Sequence, residues 1–500
     1  MSDKKKKYYI SAALPYVNLP GHLGHALEFI QADVLARYHR LLEEDVFFLI
    51  GTDENGEKIF KAAEKARKTP KEFVDEISAQ FRKLTEVLSI SNNDFIRTSD
   101  QQRHWPSVYK AWLKFKQKGL LYKKQYEGLY CVGCEAFITS KDLVDGKCQY
   151  HQTEPEVVRE ENYFFRLSKY TKKIKELIEK DIIKIIPETK KNELLSFLKE
   201  GLEDISFSRP RGDLKWGIPT PDDPSQIIYI WCEAMISYIS AIGYNDNPVF
   251  FKKYWPADVH CLGKDIFIRF HGSLWPAMLL ALDLPLPKKI FVHGFITVNG
   301  QKMSKSLGNI IDPFELVNKY GTDAVRYYLL AEIPSTEDGD FTYEKFEKKY
   351  NSDLASGIGN LVARVTKMVS DPNFKLPRRI SYIIRGIISR IKIKRTIKNT
   401  RKKYKESLDE FKLHEALKTV WDLIGFCDKH IEKEKPWITK NRKIVDNLLI
   451  ALYNIAELLA PFLPETTDKI LNEIDSSLKN KTENRKSAVL FPRLELTKKE

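Results

Sequence analysis

The sequence predicts an α/β protein: a doubly wound parallel sheet, interrupted by an insertion with metal-ligand spacing and followed by a wholly helical C-terminal part. Three observations carry this. The first 60 residues alternate strand, turn, helix and strand. A Cys–His cluster falls within a stretch of short strands, and strand-like alternation disappears after about Tyr350. A chain of 500 residues exceeds a single core and divides into roughly two to four domains.

Residues 7–13 form a short apolar strand, which PYVNLPG interrupts with two prolines and a glycine. A helix follows from about His25, with Leu27, Ile30, Val34, Tyr38 and Leu41 on one face. The run VFFLI, residues 46–50, reads as a buried strand ending at GTDENG. Strand, helix and strand make a right-handed crossover, so a parallel sheet is expected, with ligands at its carboxyl ends. Helical patterns continue to about Gly119. Short strands, the cysteine cluster and a charged helical stretch near residues 169–180 then suggest an insertion. The α/β pattern resumes with IIYIW (227–231), DVHCLG (258–263) and KIFVHGF (289–295). The expected boundaries are 1–118 and 226–300 for the two halves of the sheet domain and 119–225 for the insertion. A loop region at 301–349 and a helical domain at 350–500 complete the chain.

No apolar stretch approaches the roughly 18 residues of a membrane helix. The start MSDKKKKYYI has no apolar segment of a signal peptide behind it, so a cytoplasmic protein without a membrane partner is expected. The net charge of +14 is concentrated. Residues 365–405 hold 14 Lys or Arg against one acid, Asp371, and Ile380, Ile383, Ile384, Ile387, Ile388 and Ile391 keep helical spacing. A helix with an apolar seam and a basic exposed side suits a polyanionic partner.

Cys131-x₂-Cys134 and Cys148-x₂-His151 supply four ligands in two chelating pairs, the spacing of a closed tetrahedral zinc site. One structural zinc ion is expected, whereas Cys232, Cys261 and Cys427 stand alone in apolar surroundings as core thiols.

Two further motifs carry chemistry. His22-Leu23-Gly24-His25 lies between the first strand and its helix. A helix N-terminus offers free N–H groups, Gly24 lets a nucleotide approach the backbone, and imidazoles donate to phosphoryl oxygens as charge develops. About 280 residues later comes Lys302-Met303-Ser304-Lys305-Ser306, after a strand and the loop TVNGQ. Two lysines in a short loop can reach ATP phosphates and neutralise departing pyrophosphate.

The HLGH and KMSKS pair resembles the signature of the class I aminoacyl-tRNA synthetases, with Leu23 in place of the more usual isoleucine. The resemblance implies a Rossmann-type catalytic domain and adenylation of an amino acid by ATP with Mg²⁺, followed by transfer to tRNA. It implies that His22, His25, Lys302 and Lys305 are catalytic, with Gly24 and Ser304 also at ATP, and that Gly263-Lys264-Asp265 binds adenosine through Gly263 and Asp265. ALPYVNLPGHLGHALEFIQADVLARY, GTDENG, YIWCEAMISY and FVHGFITVNGQKMSKS are similar to the methionyl members in particular. That similarity implies L-methionine as substrate, with Asp53 holding its ammonium and Leu14, Tyr16, Trp231, Ala234, Tyr238 and His293 lining the pocket. A thioether packs well against such aromatic rings.

Asn360 and Arg364 lie four apart on one helical face, and Trp437 follows Pro436 in a KEKPW turn where an indole can stack on a base. The resemblance makes Asn360, Arg364, Pro436 and Trp437 anticodon readers of initiator and elongator tRNA(Met), in an α-helical anticodon-binding domain. The insertion is too short for the hydrolytic domain of related synthetases, and the chain ends without a dimerisation domain, so a monomer is expected. Three departures touch the pocket. Asn55 replaces a usual histidine, Glu233 an aspartate, and Met235-Ile236-Ser237 differ before the pocket tyrosine.

Overall fold

The apolar runs at residues 7–12 and 45–52 are buried almost throughout, the pattern of strands covered on both faces of a parallel sheet. In the computed structural model they belong to a six-stranded sheet of β1 (Lys7–Ala12), β2 (Asp45–Thr52), β3 (Asp94–Arg97), β4 (Lys184–Ile186), β5 (Val259–Gly263) and β6 (Lys289–His293). The order is β3-β2-β1-β5-β6-β4 and every pairing is parallel. Ile10 aligns with Phe48 on one side and Val259 on the other. The order changes direction between β1 and β5, which puts the switch point of the fold, the usual ligand position, at the carboxyl ends of these two strands. The structure describes residues 5–132, 136–138, 143–149, 152–212, 216–303, 308–371, 392–479 and 489–495.

The chain divides into two compact units: Met1–Gly21, His39–Glu86 and Ile90–His293 form the first, and His22–Tyr38, Val87–Ser89 and Gly294–Glu500 the second. Within the first, the core joins the sheet to Trp112, Phe165, Phe207, Trp255 and Trp275. Among the described residues, three small antiparallel sheets accompany the main one, the smallest pairing Leu143–Val144 with Lys147–Cys148. Leu121–Cys131 pairs with Glu156–Phe165 and with Ala136–Ile138, and Asp223–Ile228 pairs with Ser208–Pro210 and Pro219–Thr220.

Two sequence expectations change here. IIYIW is not a strand of the parallel sheet: its first residues close the antiparallel Asp223–Ile228 strand, and a short helix, Ile230–Ala234, takes the rest. β-branched and aromatic residues fit any half-buried pleated surface, so their run does not distinguish parallel from antiparallel pairing. Conversely, β4 comes from inside the segment expected to be inserted, yet Ile185 pairs with Ile290 in the main sheet.

Within the second unit, α1 (Leu23–Leu41, of which residues 23–38 belong here) and the helices after Tyr343 surround Arg326, which is fully buried. Asp312, Thr342 and Asn441 cap helices through side-chain oxygens that accept backbone N–H groups. A small sheet pairs Ile296–Val298 with Gln301–Lys302 and Gly339–Phe341. Of the basic segment, Lys392–Asp409 is helical, with Ile393, Ile397, Thr400, Tyr404 and Leu408 buried along one stripe. The isoleucines from 380 to 391 lie outside the described residues. No described helix is long and apolar enough to cross a membrane.

Candidate active site

The first unit gathers several of the expected pocket residues at the ends of β1 and β2. Beyond β1, Tyr16 bridges to Asp53, whose N–H donates to Pro15 O at 2.9 Å while its carbonyl accepts from Val17 N at 3.1 Å. Two adjacent parallel strands therefore prolong their pairing by a few residues and bring Leu14, Tyr16 and Asp53 together. Asp53 is 5% exposed, and its Oδ1 accepts from Thr98 Oγ1 at 3.3 Å. Leu14, Tyr16 and Trp231 are partly buried and pack on the same core. Trp231 lies flat on Phe270, with ring centroids 3.8 Å apart and planes 9° apart. Its buried indole Nε1 has no hydrogen-bond partner among the described residues. Ala234 is partly buried on the same short helix.

Tyr238 is buried, and its hydroxyl is 2.8 Å from His271 Nε2. His271 Nδ1 is 3.1 Å from Ile266 O, an acceptor only, so Nδ1 carries the proton and Nε2 accepts from Tyr238. Burial lowers the imidazole pKa to about 4, which keeps it neutral. Tyr9 donates to Tyr238 O at 2.6 Å and holds the segment from below. His271 and Phe270 were not among the expected pocket residues. They sit in a π-helical stretch, Phe267–Leu274, whose wide turns defeat a search for 3.6-residue spacing. The aromatic density of DIFIRFHGSLW was the available signal.

His293 ends β6 opposite Gly263, the last residue of β5. A Cβ on Gly263 would stand 2.8 Å from Asp265 Oδ1 and 3.7 Å from the His293 ring. The glycine leaves room for the Asp265 carboxylate as it stands, and Gly263, Asp265 and His293 form one group beyond the carboxyl ends of β5 and β6.

The second unit carries both phosphate motifs. Gly24 N donates to His22 Nδ1 at 3.1 Å, and His22 N donates to His25 Nδ1 at 3.2 Å. The rings stack at 3.9 Å. Since each Nδ1 accepts, the neutral rings hold their protons on Nε2, the tautomer that donates outward to an anion. Burial lowers His22 to about 4, so the neutral form prevails near pH 7. A Cβ on Gly24 would lie 2.9 Å from the His22 ring and 3.9 Å from Met303 Cε. Motifs about 280 residues apart in sequence therefore meet at Gly24. Lys302 is exposed, with its ammonium 5.8 Å from the centre of the Phe295 ring. Ser304 and Lys305 lie outside the described residues.

Cys131 and Cys148 are buried in one small cluster with Ile138, an arrangement that fits two thiolates of one metal site. Cys134 and His151 lie outside the described residues, and among the described ones no group of three or more such ligands gathers. In the helical part, Asn360 is exposed at the start of Asn360–Ser370. The Arg364 guanidinium lies 5.6 Å from the ring centre of Trp437, which is 42% exposed and follows buried Pro436.

The family described as tRNA synthetases class I (M) matches residues 8–150 and 134–366, and the anticodon-binding domain of tRNA ligase matches 392–499. The methionine–tRNA ligase of Thermotoga maritima is 42% identical over 480 residues, covering 94% of this chain and 75% of that protein. That of Clostridium acetobutylicum is 42% identical over 522 residues, covering 99% and 80%. The solved Mycobacterium tuberculosis methionyl-tRNA synthetase in complex with methionyl-adenylate superposes with a TM-score of 0.87 at 33% identity, over 98% of this chain and all of that one. With a parallel catalytic sheet, an HLGH turn against KMSKS and a helical C-terminal domain, the chain belongs to the methionine–tRNA ligases, a family of the class I aminoacyl-tRNA synthetases.

Proposed function

We propose that this chain activates L-methionine with ATP to methionyl-adenylate and transfers the aminoacyl group to the 3′-terminal adenosine of tRNA(Met), releasing pyrophosphate and AMP. The observation that carries the reading is the meeting of the HLGH turn with Met303 of KMSKS at Gly24. His22 and His25 donate from Nε2 to phosphoryl oxygens, and Lys302 and Lys305 neutralise the leaving pyrophosphate. Gly263 and Asp265 take the adenosine, with Asp265 accepting from ribose hydroxyls, and His293 beside them lines the methionine pocket. Asp53 binds the ammonium and so orients the methionine carboxylate for attack on the α-phosphate. Leu14, Tyr16, Trp231 and Ala234 surround the thioether, while Tyr238 and His271 set the polar end of the pocket. Mg²⁺ accompanies ATP and screens phosphate charge.

Cys131, Cys134, Cys148 and His151 would hold one structural zinc ion, a reading supported by the two buried thiols of one cluster. Asn360, Arg364, Pro436 and Trp437 read the anticodon of initiator and elongator tRNA(Met), and the basic helix follows the backbone. The enzyme works as a cytoplasmic monomer. The domains are those the sequence suggests, except that β4, from within residues 119–225, pairs into the catalytic sheet, with the helical domain from about 350.

ATP–pyrophosphate exchange measured with each apolar amino acid tests the reading. Exchange that depends on methionine, together with charging of tRNA(Met), is expected. Equal exchange with leucine, or none with methionine, would overturn it.

A further inference from the structure

Glu233 lies fully buried on the helix that carries Trp231, in a chain of hydrogen bonds that the activity does not explain. Asn55 Nδ2 donates to Glu233 Oε1 at 2.8 Å. Glu233 Oε2 is 2.9 Å from His104 Nε2, and His104 Nδ1 is 3.0 Å from Ser240 Oγ. Ser240 Oγ in turn donates to Ser237 O at 3.3 Å. Every member is buried, and residues 55, 104 and 233 are far apart in sequence.

The donors fix the direction of the chain. Ser240 spends its proton on Ser237 O, so it accepts from His104 Nδ1–H, and His104 Nε2 must itself accept. The proton between Glu233 and His104 then belongs to Oε2, and Oε1 is left as the acceptor for Asn55. Burial supports the uncharged arrangement: it raises the Glu233 carboxyl well above the usual range and pushes His104 down to about 3. The adjacent Glu54 is satisfied separately by Thr52, Arg97 and Ser99. The turn after β2 is thus held from one side by the Arg97–Glu54 ion pair and from the other by a neutral carboxyl.

We propose that Glu233 is a positioning residue of the amino-acid subsite: as a neutral carboxyl, accepting from Asn55 and donating to His104, it fixes the Asp53–Asn55 turn against the helix bearing Trp231. This rests on the reading that Asp53 and Trp231 hold methionine. Glu233 touches no substrate atom; it acts through the ammonium site on one side and the indole on the other.

Methionine-dependent exchange by Glu233→Met, Glu233→Gln, Asn55→Ala and Asp53→Ala, with thermal midpoints alongside, tests this. Glutamine keeps both bonds, its carbonyl accepting from Asn55 and its amide donating to His104. Glu233→Met should raise KM for methionine roughly tenfold and leave KM for ATP within about twofold. Glu233→Gln should stay within about twofold of the parent for both substrates. Should Glu233→Met fail to fold, Asn55→Ala carries the test, with the same selective rise in the methionine KM. A Glu233→Gln chain as impaired as Glu233→Met, or an unchanged methionine KM in Glu233→Met or Asn55→Ala, overturns the proposal. An Asp53→Ala chain with the parental methionine KM overturns instead the underlying assignment of the ammonium site.

Discussion

Arg326 and Asp33 form an ion pair of 2.8 Å in which neither side chain is exposed. The guanidinium also donates to Leu88 O at 3.0 Å, Pro461 O at 3.0 Å and Phe462 O at 2.8 Å. One side chain thus ties α1, the helix behind the HLGH turn, to the loop between the last two long helices. Removing one member of a buried pair leaves an uncompensated charge, at a cost of about 3–5 kcal/mol. Asp33→Ala should lower unfolding stability by about that amount in urea titration, although Arg37 also bonds Asp33 at 2.8 Å. A loss below about 1 kcal/mol would show that the pair does not anchor the helix.

Tyr238 supplies the proton that His271 Nε2 accepts. Tyr238→Phe leaves that buried nitrogen without a donor, and KM for methionine should rise roughly tenfold while KM for ATP hardly moves. Steady-state exchange kinetics decide this. An equal rise for both substrates would place Tyr238 outside the amino-acid pocket.

The buried histidines make stability depend on pH. His271 titrates near 4 and His104 near 3 in the fold, both depressed by burial, whereas an unfolded imidazole titrates near 6.5. The unfolded chain therefore binds more protons between these values. The histidines' contribution to stability is full above pH 6.5 and falls as pH drops from 6.5 toward 4. Glu233, raised by burial, contributes in the opposite sense. Unfolding midpoints from pH 7.5 to 4.5 should decline, with a shallower slope in His271→Gln. An identical slope in that variant would remove His271 as a cause.

If the cysteine–histidine knuckle holds zinc, metal analysis of the purified chain should find about one zinc ion per molecule. Cys148→Ser should lose it, and chelation should lower the thermal midpoint, because metal binding supplies folding energy to a small polar segment. A metal-free chain of unchanged stability would exclude the site.

Trp437 is half exposed beside Arg364, as a stacking platform for an unpaired base requires. Trp437→Ala should reduce kcat/KM for tRNA charging by about 10- to 100-fold, the loss of one base stack. The defect should be absent from ATP–pyrophosphate exchange. An equal defect in both assays would make the indole a structural plug.

The sequence by itself determined the chemistry and most of the sheet. β1, β2, β5 and β6 were legible because a strand covered on both faces must be a short apolar run, and the phosphate motifs because their residue types are local. The helical character of the C-terminal part was legible from the loss of strand-like alternation after about Tyr350. Tertiary structure decided what depends on distant partners. β4 is three residues long and is a strand only because Ile290 lies beside it. IIYIW divides between an antiparallel strand and a helix because Ser208–Pro210, not the main sheet, supplies its partner. His271 faces Tyr238 across 33 residues and Asn55 meets Glu233 across 178. Buried polar groups take whichever partner the fold brings within about 3 Å, and no local pattern records that choice.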